Sequence, residues 1–429
     1  MDYSRAVTAA LISPQGQATV ATGDIGLLIR LMRKAAGWTQ QELADRSGYS
    51  QATISRLERG ASRAAQDMVI LTDIAQALGV PPAVLGVPYQ PHHAPAIVDG
   101  VERRDLFGGA AGLVVAMLLP RNVAIPGHID ADQVAQCWTA LRRLFELDHQ
   151  QGGATIYQVA EGMARRLQDA VRQGSYLPSV GRELRGVTAA TMDQAGWLAY
   201  DAGWHQKARQ WWLETCHFAD LEAVPDARAR TLAAMALQAN NTPGGGREAV
   251  GLAEAARAAA GDQASPMMLS LLAAREAVGH ARSGDRSAAT SAIGESRRWL
   301  DHGRRGDEPF WLDFWGPADL AAHERMVGLA TGQGHLAETA ARRALASVDA
   351  EAFPRNHVSY TSNLGLVLIR RGQLDEAIAV TGDAVQRIDT VRGSGRILAR
   401  LNHTVDLLGQ QNYPPAKKFS NVAHRLLPV

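Results

Sequence analysis

The sequence predicts an all-α protein in which a small helical bundle precedes a long array of helix pairs. Two observations support this fold class. Amphipathic periodicity of the helical kind covers most of the chain, whereas the alternating β-branched runs that indicate strands are nearly absent. In the second half, stretches that read as helix, glycine-containing turn and helix recur at intervals of 38 to 50 residues, which is typical of a helical repeat protein.

The chain of 429 residues is too long for one ordinary hydrophobic core, and its patterning divides it into four segments. Residues 1–22 lack clear periodicity and are predicted to be a mobile tail. Residues 23–87 are predicted to form the bundle. Residues 88–105 are rich in proline and poor in periodic apolar positions, which indicates a linker. Residues 106–429 are predicted to form the array.

The composition limits the classes of partner. A net charge of +1 provides no basic field over the whole protein, so any binding of nucleic acid must be local. The two cysteines, Cys137 and Cys216, form no CxxC pair, which argues against a disulfide framework or a structural zinc. A reducing cytoplasm is the compartment that fits this cysteine usage.

One apolar run, Leu106–Leu119, follows Arg103 and Arg104 and superficially resembles an export signal. It lies a hundred residues inside the chain, and its 14 uncharged residues are too few, because about 20 are needed to span a bilayer. We therefore predict a buried connecting helix and no membrane association.

Motifs of common enzymes are missing. The chain contains no GxxxxGK phosphate loop, HExxH pair, GxSxG elbow or GxGxxG after a strand, and its 13 histidines show no metal-ligand spacing. We predict no catalytic site, no metal and no cofactor.

The stretch "GWTQQELADRSGYSQATISRLERG" predicts two short helices around a tight turn. Thr39 and Glu42 form a capping box that starts the first helix, Gly48 permits a left-handed turn, and Ser50 caps the second helix. The apolar face between the two helices is supplied by Leu43, Ala44, Ile54 and Leu57. Together with "IGLLIRLMRKAAG" upstream and "DMVILTDIAQALGV" and "PPAVLGV" downstream, this pair completes a five-helix bundle.

This order of helices resembles the Cro/phage-repressor (XRE) family of helix-turn-helix domains, so residues 23–87 are identified as a DNA-binding domain of that kind. The matching residues are Arg33, Thr39, Gln40, Leu43, Ala44, Gly48, Ser50, Ile54, Leu57, Glu58 and Gly60. The resemblance implies that Arg33 and Glu58 form an internal ion pair. It also implies that the helix beginning at Ser50 enters the major groove.

By the same resemblance, Gln51, Ala52, Thr53 and Arg56 face base edges. A glutamine can pair with adenine and an arginine with guanine, while the methyl groups of alanine and threonine can contact thymine. Among the residues nearby, Gln40 is predicted to contact phosphate or to brace Gln51.

Two further residues complete the predicted DNA contacts. Ser55 adds a contact to the DNA backbone, and Arg59 either reaches a phosphate or belongs to a solvated face.

The charge of the bundle predicts how it binds. Residues 24–86 contain seven arginines or lysines and six acidic residues, a net of +1. Affinity for double-stranded DNA depends mainly on phosphate neutralisation, so a single copy should bind weakly. We therefore predict a homodimer on a two-fold symmetric operator.

Five glycines align at the turns of the array: Gly203, Gly244, Gly284, Gly334 and Gly372. Each is predicted to end a helix in a left-handed cap, and an alanine shortly after it lets the next helix pack closely. "GWLAYDAGWHQKARQWW" and "NLGLVLIRRGQLDEAIAVTGDAV" resemble tetratricopeptide units, which identifies residues 106–429 as a tetratricopeptide-like α-solenoid. An irregular all-α domain is the alternative.

A bundle of this type joined to such an array resembles peptide-sensing bacterial transcription factors and, more closely, actinobacterial regulators with a "GWLAYDAG"-like signature. The resemblance implies that the array dimerises and binds a small peptide, metabolite or protein effector. Predicted ligand contacts are Trp197, Tyr200 and Asp201 on the inner face of the first helix of one repeat, and Asn363 and Arg370 on a helix of the last repeat. These side chains can alternatively fill the cores of helix pairs.

The function predicted from the sequence is therefore a sequence-specific transcriptional regulator with a sensing and dimerising array. The alternative is a DNA-anchored scaffold or adaptor for protein–protein interaction, without ligand sensing.

Overall fold

The computed structural model describes residues 24–59, 68–80 and 128–427 except 263, 307 and 352, together with the isolated residues 6, 7, 10, 11, 19 and 85. Most of the predicted tail (1–22), the predicted linker (88–105) and the apolar run Leu106–Leu119 lie outside the described residues. Most of the fifth helix predicted for the bundle (81–87) lies outside them as well. The chain divides into two compact units, 1–145 with 158–184 and 146–157 with 185–429.

The amino-terminal bundle consists of short helices around one apolar core. Its described helices are α1 (Ile25–Ala35), α2 (Gln40–Ser47), α3 (Gln51–Glu58) and α4 (Met68–Ala77). The apolar face predicted for α2 and α3 is fully buried in this core. Val7 and Leu11 of the predicted tail, and Leu85 beyond α4, are buried in the same core.

Local side-chain chemistry explains where α2 and α3 begin and end. The predicted capping box is confirmed, because the Thr39 hydroxyl accepts from the Glu42 amide at 3.2 Å and the Glu42 carboxylate accepts from the Thr39 amide at 2.7 Å. Gly48 ends α2 in the left-handed region with φ 77°. Ser50 then caps α3, its hydroxyl accepting from the Thr53 amide at 3.2 Å. The two helices are thereby held on either side of a three-residue turn.

Three long helices and two short strands follow. They are β1 (His128–Ile129), α5 (Ala131–Gln151), α6 (Gly153–Gln173), β2 (Ser175–Tyr176) and α7 (Pro178–Asp201). The strands pair in parallel, with His128 opposite Ser175, and are the one feature of the described chain that departs from an all-α fold. Two residues per strand are too few to give a periodicity that a sequence pattern reveals.

The rest of the second unit is a series of helix pairs. Its helices are α8 (His205–Leu221), α9 (Pro225–Asn240), α10 (Gly246–Ala260), α11 (Pro266–Arg282), α12 (Arg286–Asp301), α13 (Pro317–Ala330), α14 (Gly334–Ala346), α15 (Pro354–Arg370), α16 (Leu374–Gln386), α17 (Gly395–Gly409) and α18 (Pro414–Ala423). Short 3-10 turns lie at Phe310–Leu312 and Ile388–Val391. Consecutive helices pack together, and α9, α11 and α13 also pack in sequence, as α15 does on α17.

The first helix of each pair is more deeply buried than the second. We call α7, α9, α11, α13, α15 and α17 the inner helices. In α9, α11 and α15 buried residues occur all round the helix, whereas α10, α12 and α14 bury one face. An inner helix that is buried all round must also bury its polar side chains, so these need partners within the array.

In each of five helix pairs, a glycine with positive φ lies in the turn between the two helices. The five are Gly203, Gly244, Gly284, Gly332 and Gly372, with φ between 73° and 89°. The prediction of Gly334 as the fourth is wrong, because Gly334 is the first residue of α14 and Gly332 has the left-handed conformation. The alanine five residues after each of these glycines is fully buried: Ala208, Ala249, Ala289, Ala337 and Ala377. A small side chain at this place lets the paired helices approach closely.

Candidate nucleic-acid interface

The amino-terminal half of α3 presents the predicted base-reading residues on its outer side. Gln51, Ala52 and Arg56 are exposed, whereas Thr53 is half-buried. The Thr53 hydroxyl lies 2.9 Å from that of Ser50, which holds it at the start of the helix. On the opposite side Ile54, like Leu57, is fully buried, so the helix cannot rotate to present another face.

Gln51 is held in one orientation by a chain of hydrogen bonds. Its Nε2 donates to Gln40 Oε1 at 3.0 Å, and Gln40 Nε2 donates to Glu58 Oε2 at 2.8 Å. Gln40 thus braces Gln51, one of the two roles predicted for it. An amide that is already oriented loses less side-chain entropy when it pairs with a base.

The chain of hydrogen bonds ends on a buried ion pair, as the family resemblance implies. Arg33 Nε and Nη2 donate to the two oxygens of Glu58 at 2.6 and 3.0 Å, and Arg33 Nη1 donates to the Trp38 carbonyl at 2.6 Å. Both residues are less than a tenth exposed. This bidentate pair fastens α1 to the end of α3 and fixes the acceptor that Gln40 uses.

Two exposed arginines lie along the outer side of α3. Arg56 Nε donates to the Ala52 carbonyl at 3.2 Å, and Arg59 Nε donates to the Ser55 carbonyl at 3.1 Å. Among the described residues the terminal nitrogens of both have no acceptor, so they remain available for a base edge or a phosphate. Ser55 is half-buried between them.

In the array, the predicted ligand contact Asp201 is buried and fully engaged. Its Oδ2 accepts from the Gly153 amide at 3.0 Å and from Arg355 Nη2 at 2.6 Å. Its Oδ1 accepts from the Ser394 hydroxyl at 2.7 Å and from Arg396 Nη2 at 3.0 Å. Asp201 therefore joins the first inner helix to the last two, and its oxygens are not free for a ligand.

Opposing effects act on the buried carboxylates. Burial raises the pKa of Asp201, but the Arg396 and Arg355 guanidinium groups outweigh it and hold that pKa below the ordinary value. Asp148, 3.4 Å from Arg355, has a raised pKa because burial outweighs the attraction of that arginine. Asp148 and Asp201 share Arg355 as a partner. Asp201 accepts hydrogen bonds from four donors, which stabilise its ionised form.

The two aromatic residues predicted to contact a ligand, Trp197 and Tyr200, pack beside the buried carboxylates Asp148 and Asp201. Trp197 Nε1 donates to Asp148 Oδ2 at 2.8 Å. Tyr200 is buried, with its ring centroid 5.9 Å from that of Trp197 and 5.8 Å from that of Trp212. Burial raises the pKa of the Tyr200 hydroxyl, so it remains a neutral donor.

The two later candidates on α15 differ in exposure. Asn363 is only 4% exposed, and its Oδ1 has no hydrogen-bond partner among the described residues. Arg370 lies two turns further on and is exposed. Sequence reasoning missed five arginines of the inner helices, because a single sequence does not reveal which side chains these helices enclose. Arg275, Arg325 and Arg355 are buried, and Arg396 and Arg400 are half-buried.

Within the described ranges, no group of three or more His, Cys, Asp or Glu side chains is arranged to hold a metal ion. No described helix combines the length and the apolar character needed to cross a membrane.

Comparison with known proteins supports the assignment of the bundle. The helix-turn-helix family model matches residues 29–85. The competence pilus inhibition repressor of Acinetobacter baylyi (strain ATCC 33305 / BD413 / ADP1) is 57% identical over 37 residues, which make up 9% of this chain and 34% of the relative. The chain thus spans about a third of the length of that relative. Residues 29–85 are a helix-turn-helix domain, the class of domain that places a helix in the major groove.

Proposed function

We propose that this protein is a sequence-specific, DNA-binding transcriptional regulator of the XRE type, which acts in the cytoplasm without catalytic activity. The observation that carries the proposal is the outer side of α3, where the exposed Gln51 amide is pre-oriented by Gln40 beside the exposed Arg56. The family match over residues 29–85 and the repressor named as a relative support the same conclusion.

We further propose that the regulator binds as a homodimer. The bundle has almost no net charge, and in its recognition helix Arg56 and Arg59 are the cations available for DNA. Because phosphate neutralisation supplies most of the affinity, one bundle alone binds DNA weakly. In a dimer, each bundle binds one half-site of a two-fold symmetric operator, so the contacts of both bundles contribute to the affinity.

The second unit is, in this proposal, a tetratricopeptide-like solenoid that dimerises and senses an effector. Five helix pairs repeat a left-handed glycine followed by a buried alanine, which supports the repeat assignment. Asp201 accepts hydrogen bonds from Arg355 and Arg396, which lie 154 and 195 positions later in the chain, and these bonds couple the two ends of the array. An effector that changes this closure would change the spacing of the two bundles and hence their joint binding to DNA.

Arg56→Ala is expected to relax the preference at one base pair of the operator by about 1–3 kcal/mol, because a bidentate arginine–guanine contact is lost. Arg59→Ala, at the residue that caps the carboxyl end of the same helix, is the matched comparison. It is expected to weaken binding uniformly across sequences and to lower the salt dependence by about one released counterion. Selection from random DNA followed by competition with single-base variants measures both. A uniform effect of Arg56→Ala would reassign that residue to phosphate binding.

Footprinting is expected to reveal two protected half-sites about one helical turn apart, since a dimer presents its two recognition helices on one side of the duplex. Protection is expected to change when extract of the producing cells is added, because the array senses an effector. Analytical ultracentrifugation of the protein–DNA complex should give two chains per operator. Absence of any preferred sequence, with and without extract, would contradict the regulator and favour the scaffold.

A further inference from the structure

Two arginines on the inner helices are buried without a counter-charge. Arg275 on α11 is 5% exposed and Arg325 on α13 is 6% exposed. Among the described residues neither forms an ion pair with a carboxylate, and the Nε atom of each has no hydrogen-bond partner. Burying a guanidinium group is costly unless it is paired with a negative charge and hydrogen-bonded. These two arginines therefore lack the anionic partner that a buried guanidinium group needs.

Other arginines of the inner helices follow the pairing rule. Arg230 forms an ion pair with Asp193 at 2.6 Å, and Arg355 and Arg396 bind Asp201 at 2.6 and 3.0 Å. These three arginines are each paired with a carboxylate of the array. Arg275 and Arg325 differ from them because they have no such partner among the described residues.

A third arginine, Arg400, interacts with Arg325 near one turn of α15. Arg325 lies one helical turn after Ala321, which packs against Tyr360. Arg400 on α17 reaches the same turn, with its Nη1 3.4 Å from the Ser359 hydroxyl. Arg325 interacts electrostatically with Arg400 and with the Tyr360 hydroxyl. Among the described residues neither arginine forms an ion pair with a carboxylate, and the carboxylate beside Tyr360, that of Asp319, accepts a hydrogen bond from the Tyr360 hydroxyl at 3.2 Å.

Arg275 and Asn363 extend this cluster. Arg275 Nη1 is 2.5 Å from Nε2 of His323 on α13, and both Arg275 and Arg400 interact electrostatically with the Tyr200 hydroxyl. Asn363 lies one turn after Ser359 on α15, and its buried Oδ1 is unpartnered.

The electrostatic state of the cluster is strongly positive. Burial, followed by repulsion from Arg400 and Arg370, lowers the pKa of Arg325 to about 9. Burial and repulsion from Arg396 lower the pKa of Arg400 to about 10. Burial raises the pKa of Asp319, a carboxyl that interacts with Arg275, to about 7, so this group is only partly ionised at neutral pH.

We propose that Arg275, Arg325 and Arg400 form a binding site for the oxyanion of a small molecule, a phosphate or a carboxylate group. The planar guanidinium forks match either group bidentately, and burial favours a small ligand. Asn363 and the Tyr200 hydroxyl are the neutral groups that position the rest of the ligand. The inference rests on the proposed function, in which this site receives the effector.

The test is the response of the full-length protein to sodium phosphate and to sodium citrate, with sodium chloride at equal ionic strength as reference. Both salts also stabilise proteins without specific binding, so the readout is the difference between wild type and Arg325→Gln in the same salt. The wild-type melting temperature is expected to rise by several degrees more than that of Arg325→Gln. Calorimetric titration should show at least a tenfold weaker Kd for the variant. A response to phosphate alone identifies a phosphorylated ligand, and a response to citrate alone a carboxylate.

Two further variants keep the test independent of folding. Arg400→Gln should reproduce the loss seen for Arg325→Gln, whereas Arg298→Gln, on the exposed face of α12, should respond as wild type does. Equal responses of wild type, Arg325→Gln and Arg400→Gln would overturn the site. Operator binding is measured on the same samples. Sequence-specific DNA binding without an oxyanion response overturns this inference alone, and the converse result overturns the proposed function alone.

Discussion

Replacing Asp201 with asparagine is expected to lower the free energy of unfolding of the second unit by about 3–5 kcal/mol, the usual cost of removing one partner from a buried ion pair. The change preserves the size of the side chain but removes the charge that two guanidinium groups share. Arg396 would then have no carboxylate within 4 Å in the described part of the chain, and Arg355 would retain Asp148 at 3.4 Å. Urea unfolding, followed by tryptophan fluorescence and by hydrogen exchange of α15 and α17, measures the loss.

The effect of this substitution is expected to depend on pH in one direction. The native pKa of Asp201 is lowered, so its ionised form contributes stability that is complete above the unfolded value of about 3.9. That contribution is lost as the pH falls through the lower native pKa. The difference between wild type and Asp201→Asn should therefore be constant at neutral pH and shrink below about pH 4. Asp148, whose pKa is raised, acts in the opposite direction, since its ionisation costs stability as the pH rises.

Asp389→Asn is the matched control. Asp389 forms an ion pair with Arg392 at 2.7 Å, but both side chains are more than half exposed. Exposed pairs contribute about 0–1 kcal/mol, so this variant should unfold close to wild type. Equal losses for the two variants would show that the Asp201 cluster contributes no more than a surface pair and that other contacts hold the two ends of the array together.

The bundle could be predicted in detail because its determinants are local. The capping box of Thr39 and Glu42, the left-handed Gly48 and the cap at Ser50 each act within a few residues, and the structure contains all of them. The predicted brace between Gln40 and Gln51 follows from the same short segment. Interactions of this kind can be predicted from one sequence, because the interacting residues lie close together in the chain.

The all-α class of the second unit could be predicted from the sequence, but the long-range partners of its side chains could not. Asp201 was predicted to contact a ligand, yet its four donors include Arg355 and Arg396, which are 154 and 195 residues away in the chain. No periodicity connects residues at such distances. The misplaced fourth glycine has a local cause, since Gly332 and Gly334 both lie in the turn and only the backbone conformation separates the helix cap from the helix start.

Glu58→Gln is expected to destabilise the amino-terminal bundle by about 3–5 kcal/mol, because Arg33 remains buried without a carboxylate. A bundle of about 60 residues has a total stability of about 3–9 kcal/mol, so much of it should be unfolded at ambient temperature. Apparent operator affinity falls in proportion to the folded fraction. Hydrogen exchange should increase in α1, α2 and α3 and remain unchanged in the array. The control Glu42→Gln is exposed and still able to complete the capping box, so it should behave as wild type.

The double variant Arg33→Leu with Glu58→Leu separates folding from recognition. Replacing a buried ion pair by apolar side chains is often neutral or stabilising, so the bundle should regain most of its stability. Gln40, however, then lacks the Glu58 carboxylate to which its Nε2 donates at 2.8 Å, and Gln51 loses the orientation that Gln40 imposes. We expect a folded protein that binds its operator with reduced discrimination at the base contacted by Gln51, measured by competition with single-base variants. If discrimination equals that of wild type, Glu58 serves only the folding of the bundle, and the pre-oriented amide of Gln51 has no part in reading the operator.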